Sequence, residues 1–435
     1  MKIAALDAHQ GVGAPALVRD VGVPPSNRAA GLKPPLLLCL SHLRWDFVLQ
    51  RPQHLLTRAA RDHTVLFFEE PILDPGIAPR LDRRRTPEGV TILVPSLPEG
   101  LPPAETTTAL RALLDQALAA EGTGRELILW FYTPMALDFA THLKPDLTVY
   151  DCMDELSAFR GAPLRMLELE QALLNRADLV FTGGRSLFEA KRNRHAQAFC
   201  FPSSIDAGHF RMARSPQPDP ADQAGIAHPR IGFFGVVDER MDLGLVAALA
   251  AARPAWQFVM IGPVVKIDPA GLPRLPNIHW LGSKGYAELP RYLAGWDAGF
   301  MPFARNESTR FISPTKTPEF LAAGLPVVST PIVDVIRDWG EAGLVEIAAD
   351  AAGFAVALDE LLRRPDAAWL QQVDVALSQQ SWDRTWSDMR GLMQQALHAA
   401  IQPAASAARP GARLAMPTRP TSRTTVPASR SAQHA

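Results

Sequence analysis

A lysine and a glutamate three residues apart, Lys316 and Glu319, lie in the run FISPTKTPEFLAAGLPVVSTP, residues 311–331. That spacing places both side chains on one face of a helix, near its start. Pro314 suits the beginning of such a helix, where a missing N–H costs nothing. Gly324 can take the left-handed conformation that ends it, and Pro326 stops it continuing. Val327 and Val328 then open a short apolar run, as a parallel strand would. Free N–H groups at a helix start, with Ser313, Thr315 and Lys316 around them, form an anion site. A carboxylate one turn further in cannot serve the anion, but it can accept hydrogen bonds from a sugar diol. Phosphate and ribose together mean a nucleotide. The same residues also suit a structural role, because Ser, Thr and Pro are common at helix starts and an early Glu favours the macrodipole.

The elements that must position these groups alternate between strand and helix. Apolar runs predict strands at 36–40, 64–68, 127–131, 147–150 and 179–182, with helices at 52–60 and 164–176. A polar, proline-rich stretch, 211–229, interrupts the pattern and reads as a domain linker. The pattern then restarts, with strands at 230–234, 256–261, 278–281 and 298–301 and helices at 243–252, 289–296 and 354–362. Such alternation implies parallel sheets covered by helices on both faces. Three strands of the second half end in glycine, at Gly235, Gly262 and Gly282. Ligands bind at the carboxyl ends of parallel strands, where a missing side chain lets the backbone come close. Each glycine taken alone also fits an ordinary turn.

Two further groups follow first-half strands. In YDCMDELSAF, Asp151 and Asp154 sit where a strand-end loop would face a cleft, and either could orient a hydroxyl or serve as base. Asp154 equally suits the cap of a following helix. His42 is a proton carrier or a polar turn residue. In SHLRWDFVLQRPQHLLTRAAR, Arg51 and Pro52 suit the beginning of a helix with Trp45 packed under it.

A chain of 435 residues fits two domains of roughly 200 residues each. The expected division is a loose segment 1–35, a first domain 36–210, the linker 211–229, a second domain 230–380, a helix 381–401 crossing back to the first domain, and a disordered tail 402–435. The tail carries five arginines and no acid. A net charge of -1 argues against nucleic acid as the main partner. Cys39, Cys152 and Cys200 show no metal spacing and read as reduced core residues, which suits a cytoplasm. No apolar run has the length to span a bilayer, which leaves peripheral contact with the inner membrane face open.

The 311–331 run closely resembles the nucleotide-sugar motif of GT-B glycosyltransferases, in the family-4-like group (glycosyl transferases group 1). The resemblance covers about residues 36–400. It implies an α/β GT-B fold, with two Rossmann-like domains facing across a cleft. It also implies transfer of a sugar from a nucleoside diphosphate sugar to a hydroxyl, with retention and without metal or resident cofactor. By this resemblance Glu319 holds the donor ribose, and Lys316 and the helix start face the diphosphate. GFFGVVDERMDLGL resembles the loop that carries an Arg just after the glycine and a Lys five residues on. Here Val236 occupies the Arg place and Arg240 roughly matches the Lys place. Lys284, Lys266 and Arg310 are the reserves for a second cation. LGSKGYAEL resembles the base-binding loop, which would bring Gly282, Ser283 and Lys284 to the base. The WDFVLQRPQ string resembles bacterial members acting on cell-surface polymers. That likeness would make Trp45, Asp46, Gln50 and Arg51 acceptor contacts, with a saccharide or lipid-linked acceptor. Phe311 stands where many members have a second Glu. A sugar-nucleotide epimerase on the same fold, or a non-catalytic GT-B partner in an envelope assembly complex, are the alternatives.

Overall fold

The computed structural model describes residues 33–363 and 367–401. Most of the segment expected to be loose, and all of the expected tail, lie outside the described residues. The first sheet is built from β1 (Leu36–Leu40), β2 (Thr64–Phe68), β3 (Ile72–Asp74), β4 (Arg80–Arg85), β5 (Thr91–Pro98), β6 (Leu127–Phe131), β7 (Leu147–Cys152), β8 (Leu179–Thr182) and β9 (Ala198–Cys200). Its order is β3-β5-β2-β1-β6-β7-β8-β9, parallel throughout, with β4 added antiparallel on β5. β1 is apolar along its whole length and buried on both faces, as a central parallel strand must be.

The second sheet holds β10 (Arg230–Phe234), β11 (Gln257–Ile261), β12 (Ile278–Gly282), β13 (Ala298–Met301), β14 (Val327–Ser329) and β15 (Glu346–Ile347). Its order is β12-β11-β10-β13-β14-β15, and every pairing is parallel. Each sheet lies between two apolar layers. The helix Trp382–Ile401 belongs to a layer of the first sheet, where Trp382, Trp386, Met389 and Met393 pack with Leu55 and Leu56.

The segment 211–229 is tied to the second domain. Arg214 donates from Nε to the Ala322 carbonyl at 2.7 Å, and Gln223 donates to the Tyr292 carbonyl at 3.1 Å. The two domains also touch directly. The helix Arg185–Lys191 starts at Gly184, which has no side chain to cap it. Asp334 of the second domain takes that role, its carboxylate accepting the Ser186 N–H at 3.0 Å. A Cβ at Gly184 would collide with that carboxylate and with Ser313. Arg185–Asp338 and Arg337–Glu189 ion pairs, each 2.9 Å, flank the contact. Elsewhere along the cleft Glu239 accepts the Arg160 N–H at 2.8 Å.

Candidate active site

The helix begins at Lys316 and ends at Ala323, and Gly324 adopts φ +82 to close it. The Lys316 side chain runs across Gly235, the residue after β10. A Cβ on Gly235 would fall on Lys316 Cε, and one on Gly262 would fall on the Gly235 carbonyl. Both glycines have positive φ, +129 and +143, so the close approach and the backbone turn each require glycine. Lys316 Nζ has no hydrogen-bond or ion-pair partner among the described residues. It lies 6.0 Å from the centre of the Phe233 ring. Burial pulls the ammonium below its usual range, while Glu319 opposes that shift and Arg240 adds to it.

Glu319, half-buried, also lacks a side-chain partner among the described residues. Burial pushes its carboxyl up to about 8, with Lys316 pulling the other way. The buried Tyr286 hydroxyl is unpaired and feels the Glu319 charge. Its ring stacks on His209 at 4.2 Å and meets His54 at 5.9 Å, and His54 stacks on Trp382 at 4.7 Å. A ladder of rings therefore joins the two domains beside the Lys316–Glu319 helix. A cation, a carboxylate and a buried hydroxyl without protein partners thus share one cleft, an arrangement that suits a polar ligand.

Arg240 lies at the same cleft, but its guanidinium is tied to Asp238 through contacts of 2.7–3.2 Å. It also lies 5.4 Å from the centre of the Phe159 ring of the first domain. Lys284 is already engaged by side chains of the protein. It pairs with Asp222 at 2.6 Å and lies over the Tyr292 ring. Gly282 and Ser283 remain exposed on that loop.

The expected acceptor residues are corrected most. Trp45 is 9% exposed and packs edge-on against Phe67 at 5.1 Å, so it has no free face for a sugar. Arg51 and Asp151 pair with each other. Arg51 Nε and Nη2 reach the carboxylate at 2.9 and 2.8 Å, and Nη1 donates to the Phe201 carbonyl at 2.8 Å. Their side chains are 2% and 0% exposed, which removes Asp151 as a base and Arg51 as an acceptor contact. Gln50 stands at the N-cap of the helix Arg51–Ala59 and takes part in its capping box with Gln53. Asp46 is exposed and pairs with Arg84. The string serves to fasten this helix to β7.

Asp154 and His42 do face the cleft. Asp154 is not a helix cap; the turn after it starts at Glu155 without a side-chain cap. Burial raises its carboxyl, opposed first by Arg240. His42 Nδ1 is buried and unpaired. Burial and the Lys266 charge bring the imidazole down to about 4, with the Tyr132 carbonyl opposing. It is therefore neutral at neutral pH. Phe159, Tyr286 and Asp334 were not distinguishable in the sequence, where each resembles any aromatic or acid near a loop. No group of three or more His, Cys, Asp or Glu side chains that could hold a metal ion occurs among the described residues.

Residues 228–364 match the family model described as glycosyl transferases group 1. This stretch is similar to a group 1 glycosyl transferase domain, and the architecture is a GT-B fold. The matched stretch contains β10, Gly235, Lys316 and Glu319. A Bacillus subtilis (strain 168) protein that carries the name teichuronic acid biosynthesis glycosyltransferase TuaH is 27% identical over 238 residues. That match spans 51% of this chain and 59% of the relative, less than two thirds of its length. Among solved structures, sucrose-phosphate synthase from Thermosynechococcus elongatus superposes with TM-score 0.62 at 15% identity, covering 84% of this chain and all of that one. Anabaena HepE in complex with UDP and glucose gives TM-score 0.60 at 14% identity, covering 82% and 99%. At these identities the superpositions establish the two-domain GT-B architecture.

Proposed function

We propose that this GT-B chain is a glycosyltransferase of polysaccharide synthesis. It moves a sugar from a nucleoside diphosphate sugar to a hydroxyl of a saccharide or lipid-linked acceptor, with retention and without a metal. The observation that carries this reading is the uncompensated Lys316 lying across Gly235, with the unpaired Glu319 one turn further along the helix. As the glycosidic bond breaks, charge gathers on the leaving diphosphate. A fixed cation and helix start stabilise that charge more than they stabilise the ground state. Glu319 accepts from the ribose hydroxyls. Closure of the two domains around the donor would exclude water and so limit hydrolysis. That HepE, a protein of the same fold, is in complex with UDP and glucose supports a nucleoside diphosphate sugar as the donor class. The TuaH name supports an acceptor in cell-surface polymer synthesis. Among the described residues no helix is long and apolar enough to cross a membrane. The reading places the chain on the cytoplasmic side, in peripheral contact with the inner membrane face where lipid-linked acceptors lie.

The test is calorimetry with UDP, GDP, ADP and dTDP, followed by a hydrolysis screen of the matching nucleotide sugars. One diphosphate should bind, and its sugar should be hydrolysed slowly without acceptor. Glu319→Ala should lower kcat/KM about 10- to 150-fold, the range for losing a hydrogen bond to a carboxylate that the donated ribose hydroxyls hold in its charged form. No binding at millimolar concentration would point to a non-catalytic partner. Release of an altered nucleotide sugar, with no second substrate, would point to an epimerase.

A further inference from the structure

Val236 leaves the diphosphate without an arginine directly after Gly235, and Arg240 is neutralised by Asp238. Lys284 is held by Asp222, and Arg310 sits in the open, 63% exposed, beside Glu307. Lys266 differs from all three. Beyond their glycines, β10 and β11 continue as a short ribbon. Val237 and Val264 pair in parallel, and the Val265 N–H donates to the Val237 carbonyl at 3.0 Å. Lys266 follows immediately with φ +61, a left-handed conformation that residues other than glycine seldom adopt. Its ammonium lies 5.2 Å from the centre of the Phe159 ring, across the cleft in the first domain. Among the described residues no carboxylate is paired with it. Its charge is felt by His42, Glu70 and Asp154, on three strand-end loops of the first domain. Asp154 is within electrostatic reach of Lys316 as well, so the two uncompensated cations converge on one small space.

We propose that Lys266 is the second cation for the donor diphosphate, meeting a phosphoryl oxygen while Phe159 holds its ammonium in place. This rests on the nucleotide-sugar reading above. An aromatic face attracts the ammonium without neutralising it, so the full charge remains for the ligand. A backbone in the left-handed region, otherwise unfavourable, aims the chain out of the ribbon. Two separate cations suit a diphosphate, whose two phosphoryl groups each carry charge. Phe159 is the positioning residue in this arrangement.

The experiment measures binding of the best diphosphate among UDP, GDP, ADP and dTDP, with its monophosphate and nucleoside, to the full chain. Lys266→Asn and Lys266→Gly both accept the left-handed backbone, so their folding is preserved. Each should weaken the diphosphate about 10-fold or more and leave the nucleoside unchanged. Lys266→Arg should recover most of the affinity, because the charge is kept. Phe159→Leu should give a smaller loss at unchanged melting temperature. Lys316→Ala is the control for the site itself. If Lys316→Ala loses diphosphate binding while Lys266→Asn and Lys266→Gly keep the wild-type affinity, the role of Lys266 is refuted and the nucleotide reading stands. If neither lysine affects binding, the nucleotide reading falls with it.

Discussion

Asp151→Asn separates a structural carboxylate from a catalytic one. In the wild type the Asp151 carboxylate is fully buried and takes both Nε and Nη2 of Arg51, at 2.9 and 2.8 Å. Replacing it with the neutral amide leaves the Arg51 guanidinium charged, buried and without its counter-ion. Breaking a buried pair from one side costs about 3–5 kcal/mol, because the remaining charge is uncompensated. For a domain of this size that lowers the melting temperature by roughly 6–20 °C. The assay is thermal unfolding followed by circular dichroism, with nucleoside diphosphate binding measured well below the transition. Binding should change little, since Lys316 and Glu319 belong to the second domain. The double variant Arg51→Leu, Asp151→Leu removes both charges and should recover most of the loss, giving a strong coupling in the double-mutant cycle. The reasoning is refuted if Asp151→Asn melts like wild type but loses turnover. Asp151 would then be acting on substrate.

Glu319→Gln should alter the pH dependence of stability. The folded carboxyl titrates at about 8, above its ordinary 4.5, so its penalty is absent below about pH 4.5 and grows as pH rises towards 8. The Gln variant should gain on wild type across that window, by about 1–2 kcal/mol after discounting for partial solvent contact and for Lys316. Denaturant unfolding at pH 5 and pH 8.5 checks this, and a gap that does not change with pH removes the argument. Gly235→Ala would push a methyl group onto Lys316 Cε in a backbone with φ +129. It should weaken nucleoside diphosphate binding about 10- to 150-fold, as the loss of one charged contact would. Calorimetry showing wild-type affinity would mean that Lys316 does not need its track over Gly235.

The parallel framework was legible because a buried parallel strand must be a short apolar run. Leu36–Leu40, Thr64–Phe68, Leu127–Phe131 and Ala298–Met301 all stand where such runs predict them. The Lys316 helix was equally legible, because Gly324 and Pro326 mark its end. The strand Arg80–Arg85 was not, since an exposed edge strand with four arginines and an aspartate has no apolar pattern to read. The first-domain site was misread for a different reason. Arg51 and Asp151 are 100 residues apart, and nothing in either neighbourhood says that they meet. Arg, Asp, Gln and Trp beside a strand end have the chemistry of a ligand site, and here the fold itself uses that chemistry. Lys284 illustrates the same ambiguity, its partner Asp222 lying in the stretch that reads as linker.

The cap that Asp334 provides for the helix at Gly184 makes the Ser186 amide a built-in reporter of the cleft. While the domains touch, that N–H is buried and bonded, and solvent exchange is slow. When they part, the helix loses an N-cap contribution of about 1 kcal/mol and its first turn is free to fray. The Asp334 carboxyl, raised by its burial, regains water at the same moment. Separation of the domains is thus chemically linked to the order of a first-domain helix. A ligand that draws the cleft shut should slow exchange at one identifiable backbone position, the Ser186 amide.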